Sequence, residues 1–148
     1  MNKGLKKEIF RIIDANFNRS REGLRVCEDI SRFILNSPAL TKEIKSVRHG
    51  ISAVAKQLRS SCNILTASRD ARNDVGKRPR PRIEVKRLDT ADIFAANMER
   101  AKESLRVLEE FFKLIDKKDS AKFSALRFEV YEIEKNALKR IEALRNRR

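Results

Sequence analysis

The chain has 148 residues, enough for one domain that buries about two-thirds of the surface its unfolded form exposes. Four glycines, three prolines and sparse aromatics among abundant Leu, Ile, Ala, Lys, Arg and Glu are the composition of long helices, not of sheets or disordered tails. The net charge of +14 attracts something anionic, and nucleic acid, an acidic membrane and a polyphosphate satisfy it equally.

No apolar run reaches the ~18 residues that span a bilayer, and Met1 to Phe10 lacks the apolar stretch of a secretion signal. A cytoplasmic protein with no membrane partner is expected. Cys27 and Cys62 have no Cys or His partner at metal-ligand spacing and read as core residues.

Apolar residues recur at intervals of three and four over roughly Leu5–Leu35, Pro38–Leu58, Thr90–Ile115 and Ser120–Leu144, which predicts four helices. Ser37 can cap a helix opened by Pro38, Asp89 with Asp92 resembles a capping box, and Asp116 to Asp119 is a polar turn. Short connections pair consecutive helices antiparallel. The predicted fold is all-α: one domain over 1–148, with a first helical hairpin at 5–58, a central functional loop at 59–89 and a second hairpin at 90–144. A loop that long is uncommon in a compact domain unless it is functional or disordered. In it, Asp74-Val75-Gly76 suits a tight turn. Ile64-Leu65 can pair with Ile83-Glu84-Val85 as extended chain, and a short helix from Cys62 to Ser68 fits equally well.

An internal repeat singles out polar positions. Asn16, Arg19, Glu22, Leu24, Arg25, Val26 and Glu28 of the first predicted helix recur, at a constant offset of 81, as Asn97, Arg100, Glu103, Leu105, Arg106, Val107 and Glu109 of the third. The second and fourth helices repeat more faintly at an offset of about 79, with Arg48 matching Arg127. Each hairpin therefore resembles a copy of the other, and a pseudo-two-fold axis between them is the natural arrangement. At about 100° per residue, Asn16 falls inside a stripe of Ile13, Phe17, Leu24, Cys27 and Ile34, and Asn97 inside one of Phe94, Met98, Leu105, Leu108 and Phe112. An inward Asn costs about 1–3 kcal/mol if unbonded, so each needs a buried partner or a ligand. Arg19 and Arg100 lie on one margin of the stripe, Glu28 and Glu109 on the other. Glu22 with Arg25, and Glu103 with Arg106, also fit plain i, i+3 pairs on a solvated face.

Arginine's planar fork binds phosphate, and carboxylates are hard ligands for Mg²⁺. The central loop gathers Arg69, Asp70, Arg72 and Asp74 within six residues, a mixture suited to a metal-bound polyphosphate and equally to a salt-bridged turn. No Walker A sequence, Gly-rich phosphate loop or dinucleotide fingerprint occurs, so side chains and helix ends must hold any nucleotide. The single histidine, His49, fits a structural role better than a catalytic one. The substrate or phosphate candidates are Asn16, Arg19, Arg25, Arg48, Asn97, Arg100 and Arg106. Arg69 and Asp70 are the catalytic candidates, and Asp70, Asp74, Glu22 and Glu103 the metal candidates.

The run Arg11 to Asn16, then Asn18 to Val26 with Glu28-Asp29 and Arg32-Phe33, resembles the small hydroxymethylpyrimidine-phosphate kinase domain often fused to the N-terminal side of bacterial thiamin-phosphate synthase. Val47-Arg48-His49, Ser68-Arg69-Asp70, Asp74-Val75-Gly76 and Ala96 to Phe111 extend the likeness over about residues 9–115. It implies a stand-alone kinase of thiamin biosynthesis that converts hydroxymethylpyrimidine phosphate to the diphosphate with ATP and Mg²⁺. Individual catalytic roles do not come with it. The sequence departs from the family pattern after Gly76: Lys77 stands where a small hydroxyl residue is usual, and Arg78 to Arg82 is unusually basic. Two alternatives accompany the kinase. A nucleic-acid-binding helical protein suits the charge but not the repeated acidic residues. The other is a non-catalytic partner module of thiamin-phosphate synthase. The Glu-and-Arg faces also leave open a homodimer that completes the site.

Overall fold

The computed structural model describes residues 3–60, 63–77 and 87–146. They form five α-helices: α1 Lys3–Phe33, α2 Pro38–Ser60, α3 Ile64–Ala67, α4 Thr90–Phe112 and α5 Lys117–Arg145, with a 3₁₀ turn at Val75–Lys77. No strand occurs among the described residues, and four of the helices are long, as the all-α reading requires.

Local chemistry sets the boundaries. Helix α1 ends where Asn36 takes the left-handed conformation at φ 45°, which Asn tolerates better than most residues. Because α1 stops at Phe33, Ile34 leaves the apolar stripe predicted for it and is half exposed. Ser37 then caps α2: Leu40 N–H donates to Ser37 Oγ at 3.5 Å, and Pro38 fills the first helical position, where no N–H is needed. Asp89 accepts from Asp92 N–H, and the Asp92 carboxylate reaches back to Leu88 N–H, each at 3.0 Å. Asp116 accepts from the Lys118 and Asp119 N–H groups, so α5 begins three residues before the predicted Ser120.

Helix α1 packs on α2 and α4, α4 on α5, and α2 closes onto α5, so the long helices ring one apolar core. Phe17, Phe112 and Phe123 meet edge-on or tilted at its centre, with ring centroids 4.8–6.0 Å apart. Helix α3 decides between the two readings of Ile64-Leu65 in favour of the short helix. Ile64-Leu65 is helical, with Leu65 fully buried against α1 and α2, because a buried Leu on a short helix satisfies its backbone locally. The proposed extended partner, Ile83 to Val85, lies outside the described residues, as do Cys62 and the basic run 78–82. Cys27 is fully buried, as a core residue should be.

Candidate functional site

The site begins where α1 crosses α4. A Cβ on Gly23 would lie 2.7 Å from the Asn97 carbonyl oxygen, so the two backbones approach more closely than any other residue at position 23 would permit. The small residues flanking this contact satisfy their own polar atoms. Ser20 Oγ donates to the Asn16 carbonyl at 2.9 Å, and Ser104 Oγ to the Arg100 carbonyl at 2.7 Å. The repeated asparagines behave alike: Asn16 Nδ2 donates to Ile12 O and Asn97 Nδ2 to Ile93 O, both at 2.8 Å. One turn of each helix thereby accepts the amide that the sequence left without a partner.

Beside this crossing lies a groove of about 580 Å³ lined by Asn16, Arg19, Arg87, Ala96, Glu99, Arg100, Glu103, Ser104 and Val107. Arg19 and Arg100, equivalent positions in the repeat, meet here. Both are exposed, and neither guanidinium hydrogen-bonds or ion-pairs with any described residue. Glu99 and Glu103 make the groove ampholytic, although Glu99 is also 2.7 Å from Lys102 Nζ. Asn97 is not among the lining residues, and Glu22 is exposed on α1 outside them. The sequence reading missed Arg87 and Glu99, which lie outside the repeat pattern.

The remaining candidate arginines are occupied. Glu28, buried on α1, accepts from Arg48 Nε of α2 at 2.8 Å and pairs with Arg25 Nη1 at 3.5 Å. Glu109 does the same in the second half, accepting from Arg127 Nη2 of α5 at 3.0 Å and from Arg106 Nη1 at 2.9 Å. Each repeated glutamate is thus held between two arginines and ties its helix to the next. Arg127 was signalled only by the faint repeat of the second and fourth helices.

Arg69 stays exposed, but its guanidinium forks onto buried Asp14 of α1, with Nη2 2.9 Å from Oδ1. That bond raises the Arg69 pKa further and keeps it charged. Arg11 Nη2 donates to the Asp70 carbonyl at 2.9 Å, so two contacts fasten this segment to α1. The Asp70 carboxylate accepts from Asn73 Nδ2 and N–H, which holds its pKa below the usual carboxylate range. Asp74 Oδ1 accepts from Gly76 N–H at 2.8 Å and caps the 3₁₀ turn, which Lys77 N–H closes on the Asp74 carbonyl at 3.0 Å. Arg69, Asp70 and Asp74 do not line the groove. For magnesium the fit is poor: the Asp70 and Asp74 carboxylates are used within their own turn, and no three His, Cys, Asp or Glu side chains converge among the described residues. Nor, among the described residues, is any helix long and apolar enough to cross a membrane.

A ring of long helices carrying a groove of arginines and glutamates defines the class of the protein, a helical domain with an ampholytic face between α1 and α4. The chain belongs to the ThiD2 family, whose model matches residues 11–136. It is similar to the thiamine-phosphate synthase of Synechocystis sp., 40% identical over 130 residues that make up 88% of this chain and 36% of that one. The thiamine-phosphate synthases of Rhodopirellula baltica and Nostoc sp. are 37% and 36% identical over 84% and 92% of the chain, and 33% and 37% of their own length. The chain therefore spans about a third of the curated relatives it matches. No solved structure matches it significantly.

These relatives overturn the kinase expectation. They are named as synthases of thiamin phosphate, so neither phosphorylation of hydroxymethylpyrimidine phosphate nor ATP as co-substrate has support from them. The error lay in carrying a reaction over with the resemblance, with which the phosphate-binding residue types agreed; arginines and carboxylates recognise such a ligand whether or not a phosphoryl group moves. The alternative of a partner module of thiamin-phosphate synthase fits the relatives better.

Proposed function

We propose that the chain is a ligand-binding partner module of a thiamin-phosphate synthase and that its α1–α4 groove takes a phosphate ester of the thiamin-phosphate type. The observation that carries this reading is the meeting of Arg19 and Arg100 in one groove without an ion pair, while Arg25, Arg48 and Arg106 are neutralised by glutamate. Two open guanidinium forks suit a phosphate dianion. Thiamin phosphate also carries a thiazolium cation, and Glu99 and Glu103 on the same groove supply the opposite charge. The relatives support the partnership, because in them a region like this one is about a third of a longer synthase.

Calorimetric titration with thiamin phosphate, thiamin and inorganic phosphate tests the ligand, and mixing the chain with a thiamin-phosphate synthase tests the partnership. Tighter binding of thiamin phosphate than of either fragment, weakened about tenfold or more by Arg19→Ala and by Arg100→Ala, is the expected result. A synthase that co-purifies with the chain, with a changed rate of thiamin phosphate formation, completes it. Equal binding by wild type and both variants would dismiss the groove. A synthase indifferent to the chain would dismiss the partnership.

A further inference from the structure

Equivalent positions of α2 and α5 are related by an offset of 79, which matches the capping residues Ser37 and Asp116 and the clamp arginines Arg48 and Arg127. Their outward positions diverge. Where α2 carries Lys42, Lys45, Ser46 and His49, α5 carries Ala121, Ser124, Ala125 and Phe128. Phe128 is 61% exposed and Tyr131 40%. The two rings meet edge-on with centroids 6.0 Å apart, and the Arg127 guanidinium lies over both, 5.1 Å and 5.8 Å from the ring centres. The aromatic pair is therefore fixed in place while its outer surface stays open. Rings of this kind bury some ~150–250 Å² each when covered, and cavities of about 680 and 510 Å³ flank Phe128.

The same face carries opposite charges at its ends. Lys117, at the start of α5, forms no ion pair with any described residue. Glu132 is 15 residues further on, about 22 Å along the helix, and among the described residues it pairs with the exposed Lys135 on the next turn. At 100° per residue, Lys117, Ala121, Ser124, Phe128 and Glu132 share one stripe. Turning a second copy by 180° about an axis midway between Ser124 and Ala125 sets Lys117 against the copy's Glu132, and Ala121 against its Phe128. Each contact then occurs twice. A surface that is its own complement under a two-fold rotation is what an isologous dimer requires.

We propose that this face of α5 is an antiparallel two-fold interface between two copies of the chain, closed by Phe128 on Ala121 and by reciprocal Lys117–Glu132 pairs. The proposal does not depend on what the α1–α4 groove holds. It also gives a reason for the divergence of the two outer faces: at the middle of the stripe α2 keeps the charges of a solvated surface, and α5 carries only small residues and Phe128 between its two end charges.

Sedimentation equilibrium on the full chain tests it, with circular dichroism confirming that each variant keeps its helices. Wild type sediments as a dimer. Phe128→Ser shifts it to monomer, and since Phe128 is mostly exposed the fold survives the change. Lys117→Glu and Glu132→Lys each place like charges together twice and weaken the dimer about tenfold or more. The double variant Lys117→Glu/Glu132→Lys restores it, because the pairs re-form with their signs exchanged. A wild type that stays monomeric up to about 1 mM would overturn the proposal. So would a double variant no better than the singles, or Phe128→Ser weakening synthase capture while leaving self-association unchanged.

Discussion

In the first hairpin Glu28 reaches across to Arg48, and in the second Glu109 reaches across to Arg127, with Arg25 and Arg106 completing each cluster from the same helix. Around that shared clamp the halves differ. Asp14 of α1 is buried under Arg69 and anchors the central segment, whereas its repeat equivalent is Ala95 and anchors nothing of the kind. Phe112 fills the core of the second half where the first has Ser31, fully buried with its hydroxyl unbonded. The outer face of α2 is basic, and that of α5 is aromatic and small. A repeat preserves the contacts that join a helix to its neighbour and lets the remaining positions specialise.

The largest effect separating the halves is expected at the Phe112/Ser31 pair. Phe112→Ala removes a fully buried ring from the three-phenylalanine cluster and costs about 3–5 kcal/mol in urea unfolding. Ser31→Ala removes only an unpaired buried hydroxyl and leaves stability unchanged or raises it by about 1 kcal/mol. A loss from Ser31→Ala comparable to that of Phe112→Ala would mean that the serine bonds a partner and that the two positions are alike after all.

Glu28→Gln and Glu109→Gln sharpen the comparison from the other side. Each leaves a mostly buried arginine, Arg48 or Arg127, without its carboxylate, at a cost of about 2–3 kcal/mol. Equal losses show that the clamps are equivalent. A loss confined to one variant would break the equivalence.

The smallest effect concerns Cys27, which stands where the second half has Leu108. Burial, assisted by the charge of Glu134, pushes the Cys27 thiol up to about 12. The folded pKa lies above that of a free thiol, so the neutral form is favoured by folding. Its contribution is complete below the free-thiol range and fades as pH rises toward about 12. In a Cys62→Ser background, Cys27 is expected to resist a thiol reagent at pH 8 in the native protein and to react once unfolded. Rapid native labelling would show that this part of the first half opens.

The helices and the repeat were legible because they are local. Apolar spacing, Ser37, Asp89 and Asp116 act within one or two turns, and the pairing of Asn16 with Asn97 needs only an alignment of the chain with itself. The groove was half legible. The repeat isolated Arg19 and Arg100, but it isolated Arg25 and Arg106 just as strongly, and residue type does not distinguish an arginine held by glutamate from one left open. Arg69 was read toward phosphate because its loop partners are charged, while its partner in the fold is Asp14, 55 residues away.

The sequence by itself determined an all-α chain of two related hairpins with polar residues repeated on facing stripes, because helical periodicity and capping are short-range properties. Only the tertiary structure decided which charges neutralise one another, that α3 buries Leu65, that Arg87 and Glu99 join the groove, and that one face of α5 is left uncovered. Those outcomes depend on which helices approach and how closely. The contact of Gly23 with the Asn97 carbonyl sets that distance for α1 and α4, and no local pattern encodes it.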